Sequence, residues 1–291
     1  MIRRLTPIAS LALAGAILAP SAMAHAARPS VTGQAVTLRY HYVAGQAYSY
    51  NLAVKARARL AGATSSAAGS GNVSSTTGTV RYHIVRVDPK GVATADITTS
   101  ALRVKVTVNG QTRTVTVPAT TQRAYLGADG SQRTSVGSTI GAVGVQSLGS
   151  LPPGNGSAMV GGPSWSSKAK VTLPSSLGAA LPPFQVTTTY TLTAVKPVGG
   201  SSIATINGSN NNTHTPFKIN TTIQGTAVSL QLRETTMATT LFDVTAGRLA
   251  SSMAHQVLHL TIGQGGATKG SAGSGTTVSE DITTDTSITR V

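Results

Sequence analysis

Chemistry in a protein begins with its titratable and nucleophilic side chains, and this chain has few acids to offer: Asp88, Asp96, Asp129, Glu234, Asp243, Glu280, Asp281 and Asp285. Asp88 and Asp129 sit in turns and Asp243 precedes the Gly247 turn, contexts in which a carboxylate that bonds its own backbone is the expected role. Asp281 and Asp285 share one strand face and read as solvated charges on a wet terminal strand. A glycosidase-type pair of carboxyls facing each other across a cleft is not apparent. Serines are plentiful, but no Gly-x-Ser-x-Gly elbow and no phosphate-cradling Gly-x-x-x-x-Gly-Lys run occurs. With no cysteine there is no disulfide, thiolate zinc site or thiol nucleophile. The expectation is a protein without catalytic activity and without a cofactor.

Histidine supplies one sharper possibility. Cleavage after Ala24 would make His25 the N-terminal residue, whose amine and imidazole could chelate Cu(II), with a second ligand from His41, His83, His214, His255 or His259. His255 and His259 fall on one strand face, but four residues of strand separate them by about 13 Å, too far to share one metal.

The basic residues are more numerous and better organised. Lys plus Arg number 23 against 8 acids, a formal net charge of +15. Between Arg28 and Arg133 the net is +10. Lys55, Arg57 and Arg59 form a row opposite apolar neighbours, as do Arg103 and Lys105, with Arg81 and His83 a shorter companion. If these strands adjoin, they make a cationic surface for polyanions: anionic lipid headgroups or phosphate-bearing wall polymers. The plainer reading is a solubilising face that discourages edge pairing. Nucleic acid fits poorly, since no stacking-aromatic motif is present.

The elements that would carry these rows are strands. Tyr48, Tyr50, Leu52, Val54, Ala56, Ala58 and Leu60 alternate with Ser49, Asn51, Ala53, Lys55, Arg57 and Arg59, the period of an antiparallel strand with one wet face. Leu102, Val104, Val106 and Val108 alternate with Arg103, Lys105 and Thr107; Val186, Thr188, Tyr190 and Leu192 alternate with a threonine ladder from Thr187 to Thr193. Further strands are expected at 80–87, 112–117, 202–206, 218–223, 228–233, 239–244, 248–262 and 278–290. Asn109-Gly110, Asp129-Gly130 and Ala246-Gly247 are hairpin-type turns between them. Only 139–148 and 175–181 have any helical periodicity. The Gly/Ser/Ala stretches 61–78 and 263–275 read as hairpin loops.

The expected fold is therefore all-β, a curved antiparallel sheet or half-barrel with few or no helices, and repeated turn layout suggests two related halves. Residues 1–24, with Arg3 and Arg4, an apolar run and Ala22-Met23-Ala24, read as a secretory signal peptide. The remaining organisation is a basic β half at 25–150, a Pro/Gly connector at 151–163 and a second β half at 164–291. No later stretch is apolar enough to span a membrane, so the expected location is periplasmic or extracellular. Tyr48, Tyr50, Leu52, Val54, Trp165 and Tyr190 are candidates for an apolar concave binding face.

Three segments carry a resemblance: Leu38 to Tyr50 with its Tyr-x-Tyr strand, Gly161-Gly162-Pro163-Ser164-Trp165, and Leu241 to Leu249 with its Phe-Asp-x-x-x-Gly-x-Leu hairpin. Together they resemble an uncharacterised family of exported bacterial all-β proteins over about residues 36–262. The hairpin is also similar to that of periplasmic lipoprotein carriers, half-barrels curled around an apolar cavity, although this chain lacks the lipidated cysteine of related lipoproteins. The resemblance implies export and a curved sheet. The leading function is non-catalytic binding of anionic or amphiphilic envelope components; the alternative is a structural surface protein without a dedicated ligand.

Overall fold

The computed structural model describes residues 33–61, 72–108, 110–134, 151–171, 184–211, 217–223, 226–264 and 277–291. The segment 1–24 expected to be a signal peptide, His25 and both helix candidates lie outside those residues.

All regular structure described is β. The strands are β1 (Ala35–Thr37), β2 (Ala47–Ala61), β3 (Asn72–Val87), β4 (Ala93–Thr99), β5 (Leu102–Val108), β6 (Gln111–Val117), β7 (Thr120–Leu126), β8 (Gln132–Thr134) and β9 (Ser157–Met159). They continue as β10 (Trp165–Val171), β11 (Phe184–Val198), β12 (Ser201–Asn211), β13 (Phe217–Ile223), β14 (Thr226–Asp243), β15 (Arg248–Gln264) and β16 (Thr277–Arg290). Fourteen form one antiparallel sheet whose path runs β10-β11-β12-β14-β15-β16-β2-β3-β4-β7-β8, with β13 beside β14 and the β5–β6 hairpin beside the first part of β3. The curved sheet is not closed into a barrel. β1 and β9 pair separately as a two-stranded ribbon.

The last strand in sequence is thus central in space: β16 lies between β15 and β2 and joins the strands of the two sequence halves. Asp281 and Asp285 are therefore not on a terminal edge, as their position near the end of the chain suggests. They stand between two long strands.

Two other expectations change. Residues 72–78, which look like loop because they are Ser, Thr and Gly, belong to β3. Gly78 is there because a Cβ at that point would lie 2.5 Å from Leu102 Cδ2, so the small residue admits the leucine into the core. The runs 228–233 and 239–244 are parts of one strand, β14. Alternation fades between them because Glu234 and Thr236 point inward with Leu232 and Ala238. Glu234 remains compatible with burial by accepting bonds from Thr236 Oγ1 at 2.8 Å and Gln256 Nε2 at 3.0 Å.

The main core occupies one face of the sheet. Tyr50, Leu52, Val54, Val80, Tyr82, Ile84, Ile97, Leu192, Ile206, Phe242, Leu249 and Ile288 are buried there. Its cover is supplied by residues 33–43 and 151–162, which contribute Leu38, Tyr40, Leu151, Ala158 and Val160. Backbone bonds join the two cover segments, Leu38 N–H to Gly156 O (2.8 Å), and stitch the cover to distant turns, Tyr40 N–H to Ala128 O (2.8 Å) and His41 N–H to Gly247 O (2.8 Å). Tyr40 sets its ring edge-on to Phe242 at 5.1 Å.

Turn chemistry matches its sequence signals. Asp88 Oδ1 accepts from the N–H groups of Lys90 and Val92, Asp129 Oδ1 from Ser131, and Asp243 Oδ1 from Ala246, all at 2.8–2.9 Å. Gly247 follows with φ of 58°, and a Cβ there would sit 2.5 Å from His41 Cγ. Only glycine meets both demands at that corner.

Candidate functional site

The basic rows lie where alternation places them. Lys55, Arg57 and Arg59 on β2, Arg81 on β3, and Arg103 and Lys105 on β5 are all exposed. β3 separates the other two strands, so Lys55 faces Ser75, which faces Lys105. At the usual strand spacing, the two lysines' backbones are about 10 Å apart. β2, β3, β5 and β6 contain no Asp or Glu. The β5–β6 hairpin leans away from the core's cover: Val104 and Val106 are half-buried and Val108 is exposed, whereas Leu102 is buried.

Beyond β2 the face changes character. One lateral line runs Met237, His255, Asp285, Lys55, Ser75, Lys105 across β14, β15, β16, β2, β3 and β5. A second runs Arg233, His259, Asp281, Arg59. In the first, Asp285 Oδ1 is 2.8 Å from His255 Nδ1. In the second, Asp281 bonds His259 Nδ1. The two histidines, too far apart to share a metal, each take their own carboxylate across the strand gap.

A third line, on β3, β4 and β7, reads His83, Asp96, Arg123. Here the aspartate goes to the arginine, through Arg123 Nε to Oδ1 at 2.8 Å and Nη2 to Oδ2 at 2.9 Å. These bonds, more than the accompanying charge attraction, hold the Asp96 carboxyl below the usual carboxylate range. Each of the three aspartates thus stands between a histidine and a permanent cation. The basic surface of β2, β3 and β5 is fringed by acids whose closest partners lie on the far side or are already engaged.

The apolar candidates have a different fate. Tyr50, Leu52 and Val54 are buried under the 33–43 and 151–162 cover, and Tyr48 is half-buried. Trp165 and Tyr190 are half-buried and stack at 6.0 Å across β10 and β11. The six residues do not form one open face. Where Tyr40, Tyr42, Tyr48, Tyr50 and Tyr82 meet His41, Gly247 and Arg248, a small cavity has room for a single water and not an acyl chain.

Burial, the dominant cause, raises the phenols of Tyr40, Tyr42 and Tyr82 well above their ordinary value and that of Tyr50 to about 12, with Arg290 and Arg248 opposing the shift at Tyr50. Such phenols stay protonated at neutral pH and make poor bases or nucleophiles. Among the described residues, no group of three His or carboxylate side chains is placed to hold a metal. No described helix is long and apolar enough to cross a membrane.

Sequence reasoning placed the cations and missed the pairs opposite them. The signal was present: His255 and His259, and Asp281 and Asp285, have the same four-residue spacing, which is what antiparallel pairing of β15 with β16 requires for both pairs to meet. No protein-family model matches the chain, and no curated protein matches it significantly.

Proposed function

We propose that this chain is a non-catalytic protein of the bacterial cell envelope, exported behind a cleaved leader, that docks on polyanions through the outward face of β2, β3 and β5. One observation carries the reading. Lys55, Arg57, Arg59, Arg81, Arg103 and Lys105 stand exposed on three adjoining strands that have no carboxylate of their own. A rigid sheet fixes such charges in a plane with roughly 7 Å between successive outward residues and 5 Å between strands. That array suits a surface of many phosphates, such as anionic lipid headgroups or a phosphate-bearing wall polymer, better than a single small anion in a pocket. Each cation near an anionic surface contributes about 1 kcal/mol, so several together retain a protein while any one remains dispensable.

Amphiphile carriage in the manner of the lipoprotein carriers has less support, because the cover of residues 33–43 and 151–162 occupies the face where a chain would lie. The deciding experiment is co-sedimentation with vesicles of phosphatidylcholine alone or mixed with phosphatidylglycerol, at low and high salt. Binding only to the anionic vesicles, lost at high salt, supports the proposal. Equal binding to both, or none, overturns it in favour of a structural surface protein without a dedicated ligand.

A further inference from the structure

We propose that Met237, Met253 and His255 form a binding site for a soft monovalent metal ion, Cu(I) or its analogue Ag(I), on the outward face of β14 and β15. Register brings the three together. Met237 lies directly opposite His255, and Met253 precedes His255 by two residues on the same face, which makes it the diagonal neighbour of Met237. Opposed side chains on a sheet have Cβ atoms about 5 Å apart and diagonal ones about 7–8 Å. Unbranched thioethers with three rotatable bonds can close those gaps on a common ion. Both methionines are more than half exposed, at 56% and 51%, so neither is there to fill the core.

The histidine is already set for ligation. Its Nδ1 contacts Asp285 at 2.8 Å, leaving Nε2 as the metal-facing nitrogen. A carboxylate on the far ring nitrogen is the usual device that fixes the tautomer of a ligating imidazole. The donor set selects the ion by softness and charge. Two thioethers and an imidazole are neutral and soft, which favours Cu(I) over hard divalent ions. A monovalent ion adds a single positive charge beside Lys55, which faces Asp285 from β2, where a divalent ion would add two. His259 has the matching aspartate but lies opposite Arg233, so it provides a natural control without thioethers.

The test is a titration of the whole protein with Cu(I) under anaerobic, ascorbate-reduced conditions against a chromophoric Cu(I) chelator, repeated with Ag(I) and Zn(II). The expected result is one tightly held Cu(I) or Ag(I) per chain and no comparable Zn(II) binding. A Met237→Leu/Met253→Leu variant loses at least about 100-fold in affinity, and Asp285→Asn, acting through His255, loses about 10- to 100-fold. His259→Asn leaves affinity unchanged. In nitrogen-15 NMR, metal shifts the Nε2 resonance of His255 and not that of His259. Leucine keeps side-chain bulk at exposed positions, and circular dichroism checks that the variants fold. Undiminished affinity in the double methionine variant, or an unmoved His255 Nε2 at saturation, overturns the site.

Discussion

Lys55 and Asp285 stand directly opposite each other on β2 and β16, while the Asp285 carboxylate makes its 2.8 Å contact with His255 on the other side. The same asymmetry recurs four residues away with Arg59, Asp281 and His259. These aspartates are the nearest negative charges to the β2 row and subtract from its attraction for anions. Replacing both with asparagine should therefore tighten binding to anionic vesicles, by about fivefold for each charge removed at about 1 kcal/mol per charge. Vesicle co-sedimentation at low salt reads this directly, and unchanged or weaker binding would show that the β2 row is not the contact surface.

Charge reversal on β2 tests the same surface from the opposite side. Lys55→Glu/Arg57→Glu changes the face by four charge units, which at the same scale is far more than the tenfold step of 1.4 kcal/mol. The expected outcome is loss of detectable anionic-vesicle binding by a protein that still folds and melts cooperatively, its thermal midpoint lowered only slightly by the new like-charge pair opposite Asp285, because both side chains are exposed. Retained binding would move attention to Lys168 and Lys196, exposed on the strands of the other half.

The buried phenols give the fold an alkaline limit. Tyr50 titrates at about 12 in the folded protein, and Tyr40, Tyr42 and Tyr82 are also raised by burial, against about 10 for an unfolded tyrosine. Their contribution is fully present below pH 10. Above it the unfolded chain releases protons that the folded chain keeps, so stability falls with rising pH through the folded value of Tyr50. Urea midpoints should decline from pH 10 to 12. The tyrosinate absorbance of these four residues should appear with unfolding rather than before it.

Much of this architecture is legible in the sequence because period-two alternation survives wherever one face meets the aliphatic core. Tyr50, Leu52 and Val54 against Lys55 and Arg57 is such a case, and so is Leu192 against its threonines. Legibility fails for physical reasons at three places. Glu234 and Thr236 point inward on mutual hydrogen bonds, so polarity no longer marks the wet face. Gly78 is small because Leu102 packs over it, and together with the Ser and Thr of 74–77 it imitates a loop. The β16–β2 pairing is a contact between strands far apart in sequence, and no local pattern announces it. For the candidate surface, composition gave the cations; only register showed that Asp281 and Asp285 stand between them and the histidines.

Phe242 tests the cover of the core. Its ring is fully buried and meets Tyr40 edge-on, so it links β14 to the segment that lies over the sheet. Phe242→Ala should cost about 3–5 kcal/mol by lost burial and the cavity left behind. Because Tyr40 loses its edge-on contact with β14, hydrogen exchange at the Tyr40 and His41 amides should accelerate beyond the global loss. Uniform acceleration at all core amides would mean that the cover and the sheet unfold as one unit.

The position of β16 makes the sharpest demand on the fold. It supplies ladder bonds to β15 along Ser251–Gly263 and to β2 along Tyr50–Ala61, and buries Thr284, Thr286 and Ile288 on the core face. Without it, two long strands become open edges with unpaired N–H and C=O groups, the usual template for aggregation. A chain ending at Thr276 should therefore fail to give a soluble monomer with a cooperative melt, and a separate peptide of residues 277–291 should restore one by pairing in the gap. If the shortened chain instead melts cooperatively and stays monomeric, the two sequence halves fold independently. The sheet would then be two units laid side by side, with β16 a seam and not a structural requirement.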